Sequence, residues 1–378
     1  MKIAFISNYL NHHQLPVCLE FVKQTNNEFA FIATSTISAE RLSFGYLDMN
    51  KQYPWVICAY ESNKEFKRAK KIIDDADAVI IGSAPDYFIK NRLKCKKLTF
   101  RYSERIYKRK PKWYEIPIRF IQHYVRHIRH KNLYMLCASS YTAQDYSKTG
   151  AFINKCFKWG YFPEIKTYDN LEKLFEYKTN KSIIWVARFI DLKHPEIAIN
   201  LAERLAKDGY DFQIKMIGNG KLFDEIKNSV IDKGLQDRVV LLGSISPDRV
   251  RDEMEKSQIH IFTSDRNEGW GAVLNEAMNS ACACICSDKV GASGFLIKDG
   301  VNGYVYKDGD FESFYSKVSK LINNVELIKE AGFNAYNTMV DEWNAENAVK
   351  KFLLLANSFF ETGSLNNMFS DGVCSQIK

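Results

Sequence analysis

Short apolar segments alternate with amphipathic helical stretches from end to end of the chain, and no other feature limits the fold as strongly. Residues 2–7, 29–32, 78–82, 97–102 and 134–138 read as buried strands, with helices at 14–23, 65–75 and 141–149. Parallel strands need a crossover between them, so this alternation predicts βαβ units in an open, doubly wound sheet. The pattern then restarts. Strands are expected at 182–187, 213–217, 239–242, 259–263 and 283–287, and helices at 195–208, 221–233, 247–257 and 272–279. The expected class is therefore α/β, with two Rossmann-like doubly wound domains facing across a cleft.

A length of 378 residues suits two domains at roughly 100–200 residues each. The expected division is 1–163 and 164–340, with 157–180 as a linker. A helix over 341–361 is expected to pack back toward the first domain, and the polar, weakly patterned 362–378 reads as a disordered tail. With 46% hydrophobic and 26% charged residues, the composition excludes collagenous, disordered and disulfide-framework classes. No apolar run approaches the ~18–20 residues of a membrane span. Residues 1–8 read as a buried strand rather than a signal peptide. The nine cysteines are scattered. Cys282, Cys284 and Cys286 alternate along an apolar run, which suits buried thiols better than one metal site. A reducing, cytoplasmic setting is expected.

The basic charge is concentrated. Residues 105–132 carry nine Lys/Arg and one acid, Glu115; removing these from the chain's 53 basic and 45 acidic residues leaves 44 of each. Along 115–130 an apolar stripe (Ile116, Phe120, Ile121, Tyr124, Val125, Ile128) opposes a polar one (Arg119, Gln122, His123, Arg126, Arg129, His130). Two readings stay open: an ordinary helix packed on its domain with a solvated face, or contact with an anionic membrane surface. The second gains from Trp113 and Tyr114 beside the run at 108–112. No nucleic-acid-binding module accompanies the charge, and no nucleic-acid partner is expected.

The chemistry concentrates in the second half. Glu268-Gly269-Trp270-Gly271 follows an apolar strand and leads into Ala272, Val273 and Glu276. The glycines let a ligand approach backbone, and a helix N-terminus presents free N–H groups to an anion. Two carboxylates eight residues apart, one before the helix and one within it, can accept hydroxyl hydrogen bonds from a sugar and a ribose. Arg188 and Lys193 follow the strand at 182–187, and two cations there suit a diphosphate whose charge grows as a bond to it breaks.

At these residues the sequence resembles the retaining GT-B glycosyltransferases of the "group 1" or family 4 class. That class carries an E-x7-E motif, matched by Glu268 and Glu276, and an Arg and a Lys after the first strand of its second domain, matched by Arg188 and Lys193. Its Gly-x-Gly resembles Gly218-Asn219-Gly220, and its strand-then-Gly resembles the run ending at Gly243. The resemblance covers about residues 1–360 and is specific over 182–305. It implies a metal-independent transferase with no required cofactor, whose donor is a nucleotide sugar, UDP favoured over GDP. It implies a glycan or lipid-linked saccharide acceptor, with the reaction retaining anomeric configuration in surface polysaccharide biosynthesis at the inner face of the membrane. Arg188 and Lys193 would stabilise the leaving diphosphate and Glu276 would hold the ribose. Glu268 would hold the sugar with the backbone of Gly269, Trp270 and Gly271. The first loop departs from the family pattern: Asn8 to Gln14 replaces a Gly-rich turn, and His13 and Glu104 are expected near the reacting groups. Rival expectations are a GT-B epimerase, a sugar phosphorylase, and a non-catalytic GT-B binding subunit.

Overall fold

A computed structural model describes residues 1–37, 47–108, 111–365 and 367–377. Arg109 and Lys110 of the basic run lie outside the described residues. The chain forms two compact units, Met1–Glu164 with Asn344–Lys378, and Ile165–Trp343.

The first unit is built on β1 (Ile3–Ser7), β2 (Phe29–Ala33), β3 (Val56–Cys58), β4 (Ala78–Ile81), β5 (Thr99–Ser103), β6 (Leu133–Cys137) and β7 (Cys156–Lys158). They form one parallel sheet in the order β3-β2-β1-β4-β5-β6-β7. All five residues of β1 and of β6 are buried, as sequences covered by helices on both faces must be. The helix Ala345–Thr362 belongs to this unit. Its Phe352 packs against Phe21, Phe100 and Trp159 at ring distances of 5.4, 4.9 and 5.9 Å. Asn344 caps it by accepting from the Asn347 N–H at 2.8 Å, so it starts four residues later than the sequence suggested.

Two expectations need correction. The tail is not disordered: Val373, Cys374 and Ser375 are buried. The Cys374 N–H donates to the Lys158 carbonyl at 2.8 Å, the Lys158 N–H to Ser375 at 2.9 Å, and the Ile377 N–H to Cys156 at 2.9 Å. β7 is an edge strand whose outer backbone groups need partners, and the tail supplies them. The stretch 157–180 is not a plain linker either. It contains the end of β7 and a helix, Leu171–Tyr177, capped by Asn170 and held by buried Leu174.

The second unit carries β8 (Ser182–Val186), β9 (Gln213–Ile217), β10 (Val239–Gly243), β11 (Ile259–Phe262), β12 (Ala283–Ser287) and β13 (Tyr304–Tyr306). All are parallel, in the order β10-β9-β8-β11-β12-β13. The chain winds outward from β8 in one direction and from β11 in the other. These two strands are neighbours, so the loops leaving their C-terminal ends diverge and open a crevice between them. Cys282, Cys284 and Cys286 are free and buried in and beside β12. No helix among the described residues is long and apolar enough to cross a membrane.

Candidate functional site

In the second unit, Arg188 and Lys193 leave β8 and Glu268 leaves β11, on the two sides of the divergence. The β8 exit is fixed by backbone bonds to its neighbours. The Ala187 N–H donates to Ile217 at 3.1 Å, Phe189 to Asn219 at 2.9 Å, and Gly218 to Gly243 at 2.9 Å. Gly218 has φ +132°, and a Cβ on it would lie 1.9 Å from the Ala187 carbonyl oxygen. This glycine lets two loops touch, which holds Arg188 in place. Arg188 itself is exposed and forms no ion pair among the described residues.

Lys193 ends a single 3₁₀ turn, Asp191–Lys193. Its carbonyl accepts from the Thr263 hydroxyl at 2.6 Å, and that hydroxyl accepts from buried Trp185 Nε1 at 2.8 Å. Its ammonium forms a close ion pair with the Glu268 carboxylate and lies 5.4 Å from the Phe262 ring centroid. The two residues that sequence reasoning assigned to different parts of a donor are therefore one another's partners.

After Glu268 the chain turns through Gly271 at φ +89°, where a Cβ would lie 2.7 Å from the Phe262 ring. Trp270 is buried against Phe295 and Trp343, with Nε1 donating to Asn275 at 2.8 Å. Only its backbone is available to a ligand, and its side chain is a core residue. Ala272 precedes the helix Val273–Asn279, which puts Glu276 in the first turn rather than deeper inside. The Glu276 carboxylate is recessed and accepts no hydrogen bond among the described residues. Burial raises its pKa, against the opposing pull of the Arg251 guanidinium.

Sequence reasoning missed His194 in this neighbourhood. It sits in the left-handed region at φ 48°, with its Nδ1 2.7 Å from Glu196 and its Nε2 3.5 Å from Asp265. These carboxylates, Glu196 foremost, raise its pKa. Nothing in its helical register signalled this, because the turn conformation creates the contacts.

In the first unit, His13 lies in the turn after β1 and Glu104 directly follows β5. Tyr161 joins them: its hydroxyl donates to Glu104 at 2.6 Å, and its ring stacks on His13 with centroids 5.5 Å apart. The next residue back is anchored too, since the half-buried Tyr102 donates from its hydroxyl to the Gly160 carbonyl at 3.1 Å. The Tyr161 link to Glu104 spans 57 positions and has no local signal in the sequence. Among the described residues no group of three or more His, Cys, Asp or Glu is placed to hold a metal ion.

Residues 168–338 match the family model described as glycosyl transferases group 1. The match takes in nearly all of the second unit. The chain is 27% identical over 184 residues to the poly(ribitol-phosphate) alpha-N-acetylglucosaminyltransferase of Staphylococcus aureus, covering 48% of this chain and 36% of that protein. It is 34% identical over 152 residues to an uncharacterized glycosyltransferase of Methanocaldococcus jannaschii, covering 40% and 41%. The chain thus spans only about a third to two-fifths of these two relatives. Among solved structures, Anabaena HepE in complex with UDP aligns with a TM-score of 0.70 at 13% identity, covering 95% of this chain and all of that one. TarM aligns at 0.57 with 19% identity over 74% of this chain and 54% of its own. The fold class is GT-B.

Proposed function

We propose that the protein transfers a sugar from a nucleotide-sugar donor, UDP-linked in preference to GDP-linked, to a hydroxyl of a glycan acceptor. The observation that carries this reading is Glu276. A recessed carboxylate that accepts no hydrogen bond is costly unless a ligand supplies donors, and the two hydroxyls of a ribose would. Glu268 and Lys193 lie across the divergence of β8 and β11, ready to exchange their mutual contact for sugar hydroxyls and diphosphate oxygens. Exposed Arg188 adds a second cation for the leaving diphosphate, whose charge develops in the transition state. The backbone of Gly269, Trp270, Gly271, Ala272 and Val273 would approach the donor closely, with Gly218 and Gly243 shaping the nucleotide side.

The reaction is read as retaining and metal-independent, with the leaving phosphate accepting the acceptor's proton. His13 and Glu104 are assigned to the acceptor side. Relatives' names support a surface-glycan acceptor: beside the transferase above stand a poly(glycerol-phosphate) alpha-glucosyltransferase of Bacillus subtilis and a lipopolysaccharide 1,6-galactosyltransferase of Salmonella typhimurium. The HepE structure with UDP-glucose supports a UDP donor. We read the acceptor as lipid-linked. The test is thermal-shift and calorimetric binding to UDP, GDP, ADP and their sugar conjugates, with and without EDTA. Selective stabilisation by uridine nucleotides, unchanged by EDTA, is expected. Absence of binding to every nucleotide would remove the donor-site reading.

A further inference from the structure

The helix Glu115–His123 and the π turn Tyr124–Ile128 that continues it turn two histidines inward, beside Phe120 and Ile128 near Gly150, and leave other apolar side chains outside. On the inner side, His127 is buried, with its ring 5.0 Å from that of Phe152. His123 Nδ1 lies 2.6 Å from the Thr149 hydroxyl, and its ring stacks on Tyr146 at 5.2 Å. Burial lowers the pKa of both histidines, so they pack as neutral rings. On the outer side, Ile118, Ile121 and Val125 share one face at helical spacing and are 58%, 66% and 46% exposed. Trp113, 82% exposed, stands just ahead of them. Lys112, Arg126 and Arg129 of the same segment are exposed, Arg126 with its Nε 3.6 Å from Asp86 Oδ2.

We propose that this outer face inserts in the plane of an anionic bilayer surface. Ile118, Ile121 and Val125 would enter the acyl boundary, Trp113 would sit at headgroup level, and the exposed cations would meet lipid phosphates. A contiguous apolar face on a monomer marks an interaction surface, and the charge of its segment selects the partner. The stretch 105–132 holds the chain's whole net charge of +8, so a second copy would bring like charges face to face. An anionic bilayer offers both apolar depth and opposite charge. The face belongs to the unit that carries His13 and Glu104. That it would hold them where a lipid-linked saccharide is presented rests on the proposed function; the lipid binding does not.

The experiment is sedimentation of the full chain with phosphatidylcholine vesicles, with and without phosphatidylglycerol. The variants are Ile118→Ser/Ile121→Ser and Arg126→Gln/Arg129→Gln. Binding is expected only with phosphatidylglycerol, weakened about fivefold for each cation removed and lost in the isoleucine variant. Unchanged thermal midpoints would verify folding, as these side chains are exposed. Failure to sediment with anionic vesicles, equal binding to neutral ones, or undiminished binding of the isoleucine variant would each overturn the proposal. So would lipid-free dimerisation that the isoleucine variant abolishes. UDP binding measured on the same samples reads the donor site separately, so either reading can fail alone.

Discussion

Acidification should destabilise the second unit through a single side chain. His260 in β11 is paired in register with Ile184 and Cys284, is wholly buried, and has no hydrogen bond on either ring nitrogen among the described residues. Burial alone pushes its pKa down to about 3, against roughly 6.5 in an unfolded chain. Between those values the unfolded chain binds a proton that the folded chain refuses. Stability therefore rises with pH across the window and is fully present only above it. At pH 5 the unfolded state gains a binding factor of about 30 over the folded one, or ~2 kcal/mol. That is a large share of the ~5–15 kcal/mol that stabilises a typical domain. His260→Leu keeps a similar volume and removes the titrating group. The assay is urea unfolding of both proteins at pH 8 and pH 5, followed by hydrogen exchange in peptides covering β11 and β12. Buried His127 of the first unit, with its pKa lowered to about 2, is common to both proteins and cancels from their difference. The variant's advantage should grow by about 2 kcal/mol from pH 8 to pH 5. An advantage that stays constant between the two would refute the argument that a neutral, unbonded imidazole is locked in the sheet.

Gly218→Ala should cost at least ~1–3 kcal/mol of stability, because its Cβ would collide with the Ala187 carbonyl at 1.9 Å; denaturant unfolding checks this, and nucleotide affinity should fall with it as the Arg188 loop shifts. Lys178 is buried and donates to the carbonyls of Met254, Glu255, Ser257 and Ser280 at 3.4, 3.1, 2.8 and 2.8 Å. Lys178→Met removes these four bonds and should cost ~3–5 kcal/mol, read as a lowered unfolding midpoint of the second unit. Glu276→Ala should weaken nucleotide binding by the one or two charge-assisted hydrogen bonds lost, ~1.5–3 kcal/mol each. Since burial raises the Glu276 pKa, wild-type affinity should also decline on acidification before ordinary carboxylates titrate, and calorimetry across pH should find that decline missing in the variant. Arg188→Ala should lower kcat more than it weakens donor binding; equal losses in steady-state kinetics and calorimetry would end its role at the leaving group.

What the sequence makes legible is what local pattern determines. β12 is buried at all five positions, so its run of apolar residues reads directly as an interior strand. Glu268 and Glu276 stand out because the motif, its glycines and the helix it opens are contiguous in the chain. Tyr161 bonds a carboxylate 57 residues away, and the tail pairs with a strand more than 200 residues earlier. Both depend on where the fold brings distant segments, and neither leaves a periodic trace. The close pairing of Lys193 with Glu268 is of the same kind: each was identified by its own strand exit, and only the adjacency of β8 and β11 brings them together.

The helix at 115–123 is legible in the sequence, but which of its faces meets the domain is not, and the reason bears on function. Periodicity counts apolar positions and assigns them to the core, which is sound when the opposite face carries permanent charge. Here two positions opposite Ile118, Ile121 and Val125 are histidines, 123 and 127, and an imidazole can be neutralised by burial where a guanidinium cannot. His123 and His127 are therefore able to turn inward against Tyr146 and Phe152, while Ile118, Ile121 and Val125 turn outward. The arginines could not have made that exchange without buried counter-charges. Histidine content on the polar face is thus what permits an amphipathic helix to expose its apolar side. A helix of the same pattern with lysine at 123 and 127 should pack the other way round, with its apolar stripe buried and no affinity for lipid.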